Sequence, residues 1–190
     1  ALLIYDEVQT GIGLTGKFWA HEHFVEPDII AFGKKAQVCG ILAGKRIDEV
    51  ETNCFKVSSR INSTWGGNLV DMVRFQRILE VIEHDNLVEN AANLGDYLLD
   101  GLHRLSAKHA HFSNPRGKGL MCAIDLPSAH ARNAVVSECM EQGLMILGCG
   151  DKTIRFRPAL TVSKTEIDQA LTILSSAYSL AIDRCPVASD

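Results

Sequence analysis

Two short, uninterrupted apolar runs lie within the first 35 residues of the chain, and each ends at charged residues. The first, residues 2–5, is followed by Asp6, and the second, residues 29–32, is followed after a glycine by Lys34. Runs that are apolar at every position are typical of strands buried on both faces of a parallel sheet. The sequence therefore predicts an α/β fold, and we expect further strands of this sheet upstream of residue 1.

Asp6 and Lys34 both follow these predicted strands at their carboxyl ends, where open α/β sheets bind ligands. We therefore expect the carboxylate and the amine to face one crevice, although 28 positions separate them. Taken alone, Asp6 is more readily explained as an N-cap or a solvated turn carboxylate. Of the two adjacent lysines we favour Lys34, because neighbours on a strand end point to opposite faces, and we expect Lys35 to be structural or solvated.

A carboxylate and a nucleophilic lysine in one crevice fit pyridoxal 5'-phosphate, whose aldehyde needs an amine and whose ring nitrogen needs an acid. A buried lysine loses proton affinity, which makes the neutral amine available. Candidates for the phosphate group are Asn62, Ser63 and Thr64, which precede a Gly-Gly turn and a predicted helix. The alternative role for these three residues is simple helix capping.

Arg155 lies in a predicted strand of the C-terminal part and is the candidate for pairing with a substrate carboxylate. We expect the nearby Arg157 to face the other side of that strand and to be structural.

A competing motif is the run from Gly11 to Gly16, which fits GxGxxG and follows a strand, as a dinucleotide-binding turn would. Polar residues intervene between strand and glycines, and Pro27 leaves little room for a crossover helix. We interpret this segment as a flexible loop.

Beyond residue 68 the apolar residues recur at helical spacing, which predicts two consecutive helices, and we place a domain boundary near residues 84–86. The second helix carries one apolar stripe: Leu87, Ala91, Leu94, Leu98, Leu102, Leu105. The remaining pattern predicts a mixed arrangement, with strands near 120–126, 144–147 and 154–156 and a helix over 128–142. A capping box formed by Ser163 and Glu166 begins the last predicted helix. We expect the tail after Arg184 to be frayed, and the helix to bury one stripe of residues: Ile167, Leu171, Leu174, Tyr178.

Composition excludes several classes of protein. The net charge of -4 and a pI near 6.0 give no basic face for nucleic acid, and no apolar run approaches the roughly 20 residues needed to cross a membrane. The six cysteines form no CxxC pair and lie in apolar segments, and the seven histidines show no metal spacing. We expect a cytoplasmic protein with reduced, buried cysteines and no metal site.

The quoted residues also carry a resemblance to a known family. The stretch Asp6-Glu7-Val8-Gln9-Thr10-Gly11, followed by Pro27-Asp28-Ile29 and Gly33-Lys34, resembles the signature of the class III aminotransferases. The resemblance continues through residues 63–68 and 154–158. Within the family, the versions at 32–40 and 62–69 are similar to those of enzymes that act on the terminal amine of L-lysine.

This resemblance implies the fold type I of pyridoxal-phosphate-dependent transferases. Residues 1–85 would form the second half of the large cofactor domain, and residues 86–190 the small α+β C-terminal domain. It also implies a homodimer with shared active sites. The reaction would move the terminal amine of L-lysine to 2-oxoglutarate, giving 2-aminoadipate 6-semialdehyde and glutamate.

The resemblance also assigns roles to individual residues, with Lys34 as the Schiff-base lysine and Asp6 paired with the ring nitrogen. Val8 would pack on the ring, and Gln9 would lie near the cofactor's hydroxyl. The remaining assignments are Ser63 and Thr64 on the phosphate of the neighbouring subunit's cofactor, Arg155 on a substrate carboxylate, and Asn62 as a substrate-binding residue.

Three alternatives remain open at this stage. The first is another class III enzyme that uses ornithine, 4-aminobutyrate or acetylornithine. The second is a nicotinamide-dependent oxidoreductase that uses the GxGxxG run. The third is a non-catalytic fragment or assembly module, since we expect these 190 residues by themselves to lack half of the site.

Overall fold

The chain divides into two compact units, each with its own sheet. A computed structural model of the chain describes residues 1–61 and 64–184. One unit comprises Ala1–Val88 and the other Glu89–Asp190. The division falls close to the boundary that the change in sequence pattern indicates.

The first unit is built on a three-stranded sheet in the order β1 (Ile4–Asp6), β2 (Ile29–Phe32), β3 (Gly40–Ala43). β1 and β2 are parallel, as predicted, and Asp6 pairs with Ala31. β3 runs antiparallel to β2. The carboxyl ends of the two parallel strands therefore lie at one edge of the sheet.

β1 is the edge strand of the sheet that the described residues form, and Ile4 is 59% exposed. The predicted cover on both faces of this strand includes strands expected upstream of residue 1, so it stays a prediction. Leu2 and Leu3, just before the strand, are exposed as well. An apolar edge strand of this kind is a surface that another segment of polypeptide can cover.

The glycine-rich segment that follows β1 is a packed loop, so the prediction of a flexible loop is wrong. Ile12 and Leu14 are 1% exposed, because the chain folds back over them in successive turns. The loop ends in a short 3₁₀ helix, Ala20–His23, and no α-helix occurs between Glu7 and Asp28, all of which the structure describes. A dinucleotide fingerprint requires a strand that leads directly into a helix, so this run is not one.

The two predicted helices are present as α1 (Leu69–His84) and α2 (Leu87–Lys108). The side-chain oxygen of Asn68 accepts a hydrogen bond from Val70 N at 3.0 Å and caps α1. The stripe predicted for α2 is buried or half-buried along its length. The first turns of α1, in contrast, expose apolar side chains: Leu69, Val70, Met72 and Val73.

The second unit contains an antiparallel sheet in the order β4-β5-β7-β6. Its strands are β4 (Ser113–Lys118), β5 (Met121–Asp125), β6 (Leu147–Cys149) and β7 (Thr153–Phe156). β5 and β7 match their predictions. β6 begins at the end of its predicted range, and β4 is not predicted at all.

The helices of the second unit, α2, α3 (Ala129–Glu141) and α4 (Lys164–Arg184), supply side chains to a single core. Ser128 caps α3, and Ser163 with Glu166 forms the predicted capping box of α4. The buried stripe predicted for α4 is observed: Ile167, Leu171, Leu174, Tyr178. The predicted frayed tail lies outside the described residues.

A buried carboxylate joins three strands of this sheet. Thr153 Oγ1 and Arg116 Nη1 donate to Asp125 Oδ1 at 2.6 and 2.9 Å, and Asn114 Nδ2 donates to Asp125 Oδ2 at 3.0 Å. Burial by itself raises the pKa of Asp125, but the hydrogen bonds from Thr153, Asn114 and Arg116 outweigh it and hold the pKa below its usual value. The ionised carboxylate therefore stabilises the fold.

Asp125→Asn is expected to lower the free energy of unfolding at pH 7 by about 1–3 kcal/mol, because a buried network loses its charged acceptor. A depressed folded-state pKa contributes stability above the unfolded value of about 3.9, and this contribution is lost as the pH falls through the folded-state pKa. The difference between wild type and Asp125→Asn should therefore shrink below about pH 4. Urea unfolding of both proteins across this pH range measures the difference in free energy of unfolding, with Asp151→Asn, at an exposed position, as the control. An unchanged difference at low pH would contradict the role of the charge.

The five cysteines in the described part of the chain are all free: Cys39, Cys54, Cys122, Cys139, Cys149. Burial raises the pKa of Cys122 to about 12 and that of Cys139 to about 11, so these thiols are inert. The prediction that the cysteines are buried is wrong for Cys39 and Cys149, which are exposed.

Within residues 1–61 and 64–184, no three His, Cys, Asp or Glu side chains are grouped so that they could hold a metal ion. No helix in the same ranges is long and apolar enough to cross a membrane.

Candidate functional site

The parallel pairing of β1 and β2 brings Asp6 and Lys34 to the same edge of the first sheet. Asp6 is the last residue of β1, and Lys34 follows the end of β2 after one glycine. Asp6 Oδ1 accepts a hydrogen bond from Val8 N at 3.1 Å, which orients the carboxylate. Asp6 and Lys34 therefore lie at the same edge of the sheet, as expected, but Lys34 is exposed, so the expectation of a buried lysine is not met within the described residues.

Lys34 is held in an unusual backbone conformation. Its φ is 50°, in the left-handed region that a side chain with a Cβ rarely adopts, and it begins a short 3₁₀ helix, Lys34–Ala36. Its backbone oxygen accepts a hydrogen bond from Gln37 N at 2.8 Å. The Lys34 side chain is exposed, and its ammonium contacts no hydrogen-bond or ion-pair partner within the described residues. Strained backbone of this kind clusters at functional sites.

Lys35 has a different environment. Its Nζ donates a hydrogen bond to the backbone oxygen of Gln9 at 2.7 Å, and its side chain is half-buried. The contact ties the chain after β1 to the chain after β2. This supports the structural role expected for Lys35 and leaves Lys34 as the reactive candidate.

Val8 and Gln9 lie beside these two residues. A Cβ on Gly33 would be 3.7 Å from Val8 Cγ1, so the Val8 side chain packs next to the backbone that leads into Lys34. Gln9 Oε1 is buried and has no hydrogen-bond partner among the described residues. Buried polar atoms are rarely left unpaired, and this amide oxygen suits a ligand group that donates a proton, such as a hydroxyl.

Glu7 is a functional candidate that the sequence interpretation missed. Its side chain is 2% exposed, and it accepts hydrogen bonds from Thr10 Oγ1 at 2.6 Å, Ala20 N at 3.0 Å and His21 N at 2.7 Å. His21 Nδ1 lies 3.4 Å from Glu7 Oε1, within ion-pair distance but not aligned for a hydrogen bond. Period-two alternation was the available signal, because it places Asp6 and Glu7 on opposite faces and turns one of them inward.

The phosphate candidates are only partly described, since Asn62 and Ser63 lie outside the described residues. Thr64 is exposed, in a turn ahead of α1. The capping alternative is not observed for Thr64, because Asn68 caps α1. The Thr64 hydroxyl therefore takes no part in the cap.

Arg155 and Arg157 belong to the second unit. Arg155 lies in β7, and Arg157 follows the end of that strand. Both arginines line one cavity of about 470 Å³, as does Phe156 between them, so the expected opposite facing of Arg157 stays a prediction. The rest of this lining is mostly apolar, with Phe156, Val162 and Ile167 among its residues. Arg155 is half-buried, and its guanidinium has no partner within the described residues, as a carboxylate-binding side chain requires.

Comparison with known proteins places these residues in context. The model of the family described as aminotransferase class III matches residues 1–178. The chain is 54% identical over 179 residues to the L-lysine-epsilon aminotransferase of Mycobacterium tuberculosis, covering 93% of this chain and 40% of that protein. It is 39% identical over 176 residues to the mitochondrial 4-aminobutyrate aminotransferase of Sus scrofa, covering 90% of this chain and 34% of that protein.

Among solved structures, the lysine aminotransferase from M. tuberculosis in the internal aldimine form matches with a TM-score of 0.92 and 52% identity. The match covers 95% of this chain and 42% of that one. The chain therefore spans about 40% of the length of the lysine aminotransferases that it matches.

Proposed function

The chain belongs to the class III aminotransferases, and from this premise we propose that the full-length protein transfers the terminal amino group of L-lysine to 2-oxoglutarate. The products would be 2-aminoadipate 6-semialdehyde and glutamate. The support for lysine is the identity to proteins named for it, 51–54%, against 38–39% for those named for 4-aminobutyrate. Ornithine and acetylornithine are the other donors that the family signature leaves open.

The chain has the α/β fold type I of pyridoxal-phosphate-dependent aminotransferases, and the cofactor of its family is pyridoxal 5'-phosphate. When bound, this cofactor supplies an aldehyde that reacts with amines and a protonated ring that withdraws electrons. The residues present fit it. Asp6 offers a carboxylate for the ring nitrogen, Lys34 an unpaired amine for the aldehyde, and Gln9 an unpaired buried amide oxygen for the hydroxyl.

The observation that carries the proposal is the position of Asp6 and Lys34 at the ends of adjacent parallel strands. In this proposal Lys34 Nζ bonds the cofactor covalently and, once substrate displaces it, carries a proton to and from the reacting carbon. Asp6 keeps the ring nitrogen protonated through its negative charge. Val8 packs against the ring.

Other parts of the proposal rest on the family signature. Ser63 and Thr64 would bind the phosphate of the neighbouring subunit's cofactor in a homodimer, and Asn62 would contact substrate. Residues 1–85 would complete the large cofactor domain, and residues 86–190 would form the small domain. A cytoplasmic location fits the free cysteines of the described residues.

Arg155 is proposed to bind the α-carboxylate that lysine and 2-oxoglutarate share. A planar guanidinium can hold a carboxylate through two parallel hydrogen bonds, which fixes the substrate's orientation. Holding the carboxylate away from the cofactor leaves the far amine of a long diamine free to react. This would explain selection of the terminal amine over the α-amine.

The test is the kinetics of both half-reactions in the full-length protein, with lysine, ornithine and 4-aminobutyrate as donors. We expect lysine to be preferred. Arg155→Ala should lower kcat/KM for lysine and for 2-oxoglutarate roughly thirtyfold each, which corresponds to about 2 kcal/mol. This is the lower end of the range for a charged pair, because Arg155 is only half-buried. Arg155→Lys should restore little, because an ammonium lacks the planar fork.

Arg132→Ala is a suitable control, since this arginine belongs to α3 and donates to Gly150 O. Unchanged kinetics in Arg155→Ala would remove Arg155 as the anchor. A wild-type preference for ornithine or 4-aminobutyrate would refute lysine as the donor while leaving the aminotransferase class intact.

A further inference from the structure

Glu7 has a buried carboxylate directly beside the proposed site, and each of its three hydrogen bonds is accepted from a donor, while His21 Nδ1 lies 3.4 Å from Oε1 without a hydrogen bond to it. The hydroxyl of Thr10 and the backbone N–H of Ala20 point at one oxygen, and the N–H of His21 points at the other. An ionised carboxylate has acceptors on both oxygens, whereas an amide has one acceptor and one donor. The surroundings of Glu7 therefore select a carboxylate and reject glutamine, its closest isostere.

The Glu7 main chain is fixed as firmly as its side chain. Glu7 N donates to Ala31 O at 2.8 Å, which extends the pairing of β1 with β2, and Gly11 N donates to Glu7 O at 2.9 Å. Gly11 itself lies against the ring of Trp19, where an added Cβ would come within 2.7 Å. The loop that closes over Ile12 and Leu14 is thus fastened at Glu7 to the end of β1.

The two neighbours of Glu7 are site residues. Glu7 directly follows Asp6, the last residue of β1, so strand alternation places the two side chains on opposite faces, and Val8 begins the turn that comes next. The Asp6 carboxylate takes its orientation from Val8 N, and the Gln9 backbone is held by Lys35. A shift of residue 7 would therefore displace the acid and the amide together.

We propose that Glu7 is a positioning residue for cofactor binding, which sets the Asp6 carboxylate and the Gln9 amide by clamping the 10–21 loop onto the end of β1. The inference rests on the proposed function, because it presumes a cofactor at Asp6 and Lys34. Glu7 itself touches neither cofactor nor substrate in this arrangement.

Glu7→Gln in the full-length protein is the test. The change keeps the size of the side chain but sets an amide N–H donor against the donors of Thr10, Ala20 and His21. We expect pyridoxal 5'-phosphate to bind about tenfold more weakly by equilibrium dialysis, the factor that corresponds to about 1.4 kcal/mol. The pH at which the visible absorption of the bound cofactor changes should move by about half a unit or more. Turnover should fall, with little change in KM for the amino donor.

Glu22→Gln is the matched control, since Glu22 belongs to the same loop, is exposed, and accepts one hydrogen bond from Trp19 N that a glutamine oxygen can also accept. It should behave as wild type. Should Glu7→Gln fail to fold, Thr10→Val removes one of the three donors without changing the shape of the side chain. It should shift cofactor affinity and the pH profile in the same sense by a smaller amount.

A Glu7→Gln or Thr10→Val protein that melts earlier but keeps wild-type cofactor affinity and pH profile would overturn the inference, because Glu7 would then serve stability alone. The two proposals fail differently. A wild-type protein that binds no pyridoxal 5'-phosphate overturns the proposed function and the inference with it. A wild-type protein that transaminates, beside an unaltered Glu7→Gln, overturns only the inference.

Discussion

Replacing Lys34 by arginine in the full-length protein is expected to abolish covalent attachment of the cofactor and to lower turnover by about ten-thousandfold. The loss is large because one amine is proposed both to hold the cofactor and to move the proton, and a positioned acid–base group alone contributes about 10² to 10⁴ in rate. An arginine keeps the positive charge but remains protonated and cannot act as a nucleophile. Borohydride reduction followed by peptide mapping should place the pyridoxyl group on Lys34 in wild type and on no residue in the variant.

Lys35→Arg is the matched control for this experiment. Its guanidinium can still donate to the backbone oxygen of Gln9, so the strand ends should stay tied together and the attachment should persist. If the reduced cofactor were found on Lys35, or were lost in Lys35→Arg alone, the assignment of the two neighbouring lysines would have to be reversed.

Asp6→Asn is expected to lower turnover by at least about a hundredfold while the cofactor stays bound. An ion pair at about 4 Å is worth roughly 4 kcal/mol at an effective dielectric of 20, and its loss removes the protonated ring. At 1.4 kcal/mol per decade, about 3 kcal/mol of this is enough for the hundredfold drop. The asparagine oxygen can still accept from Val8 N, so the backbone at the strand end should not change.

Asp28→Asn provides the comparison, because Asp28 lies just before β2, at the opposite end of the same pair of strands, and accepts from Leu3 N and Arg46 Nη1. We expect it to affect stability and to leave turnover within about twofold, as for substitutions that do not touch the reacting atoms. Single-turnover kinetics with both variants decides the matter. Near-normal turnover in Asp6→Asn would exclude Asp6 from the chemistry.

The helices were the most predictable part of the fold, because helical periodicity is a local signal and long amphipathic stripes carry it clearly. The stripe of α2 and the capping box of α4 both appear as predicted. The parallel pairing of β1 with β2 was also accessible, since a short apolar run that ends at charged residues is typical of a strand in a parallel sheet. In each case the signal that marks the helix or the strand lies within a short stretch of the sequence.

β4 could not be predicted, since its sequence, Ser-Asn-Pro-Arg-Gly-Lys, has no apolar alternation and includes a proline. Its strand conformation depends on antiparallel pairing with β5 across the turn at residues 119–120 and on the Asp125 network. β6 was shifted for a related reason. Leu144 and Ile146 pack with the core just before β6 begins. Their apolar side chains therefore indicate burial at these positions, and not pairing within a strand.

The candidate site was predictable where a motif placed residues at strand ends and not where burial decided their role. Glu7 belongs to the quoted signature, but a carboxylate is ordinarily assigned to the surface, and donors from 13 and 14 positions downstream could not be foreseen. Arg157 is a different case. Strand alternation would place it on the face of Arg155, but Arg157 follows the end of β7, so the period-two rule does not decide its direction.

The left-handed backbone at Lys34 sets folding stability against the catalytic role proposed for this residue. A residue with a Cβ loses about 1 kcal/mol in that conformation, which glycine would recover and asparagine would partly recover. A variant library sorted for heat resistance without a demand for turnover should therefore enrich glycine or asparagine at position 34 and discard the amine. Directed evolution of a more thermostable form has to keep this codon fixed or screen every round for transamination.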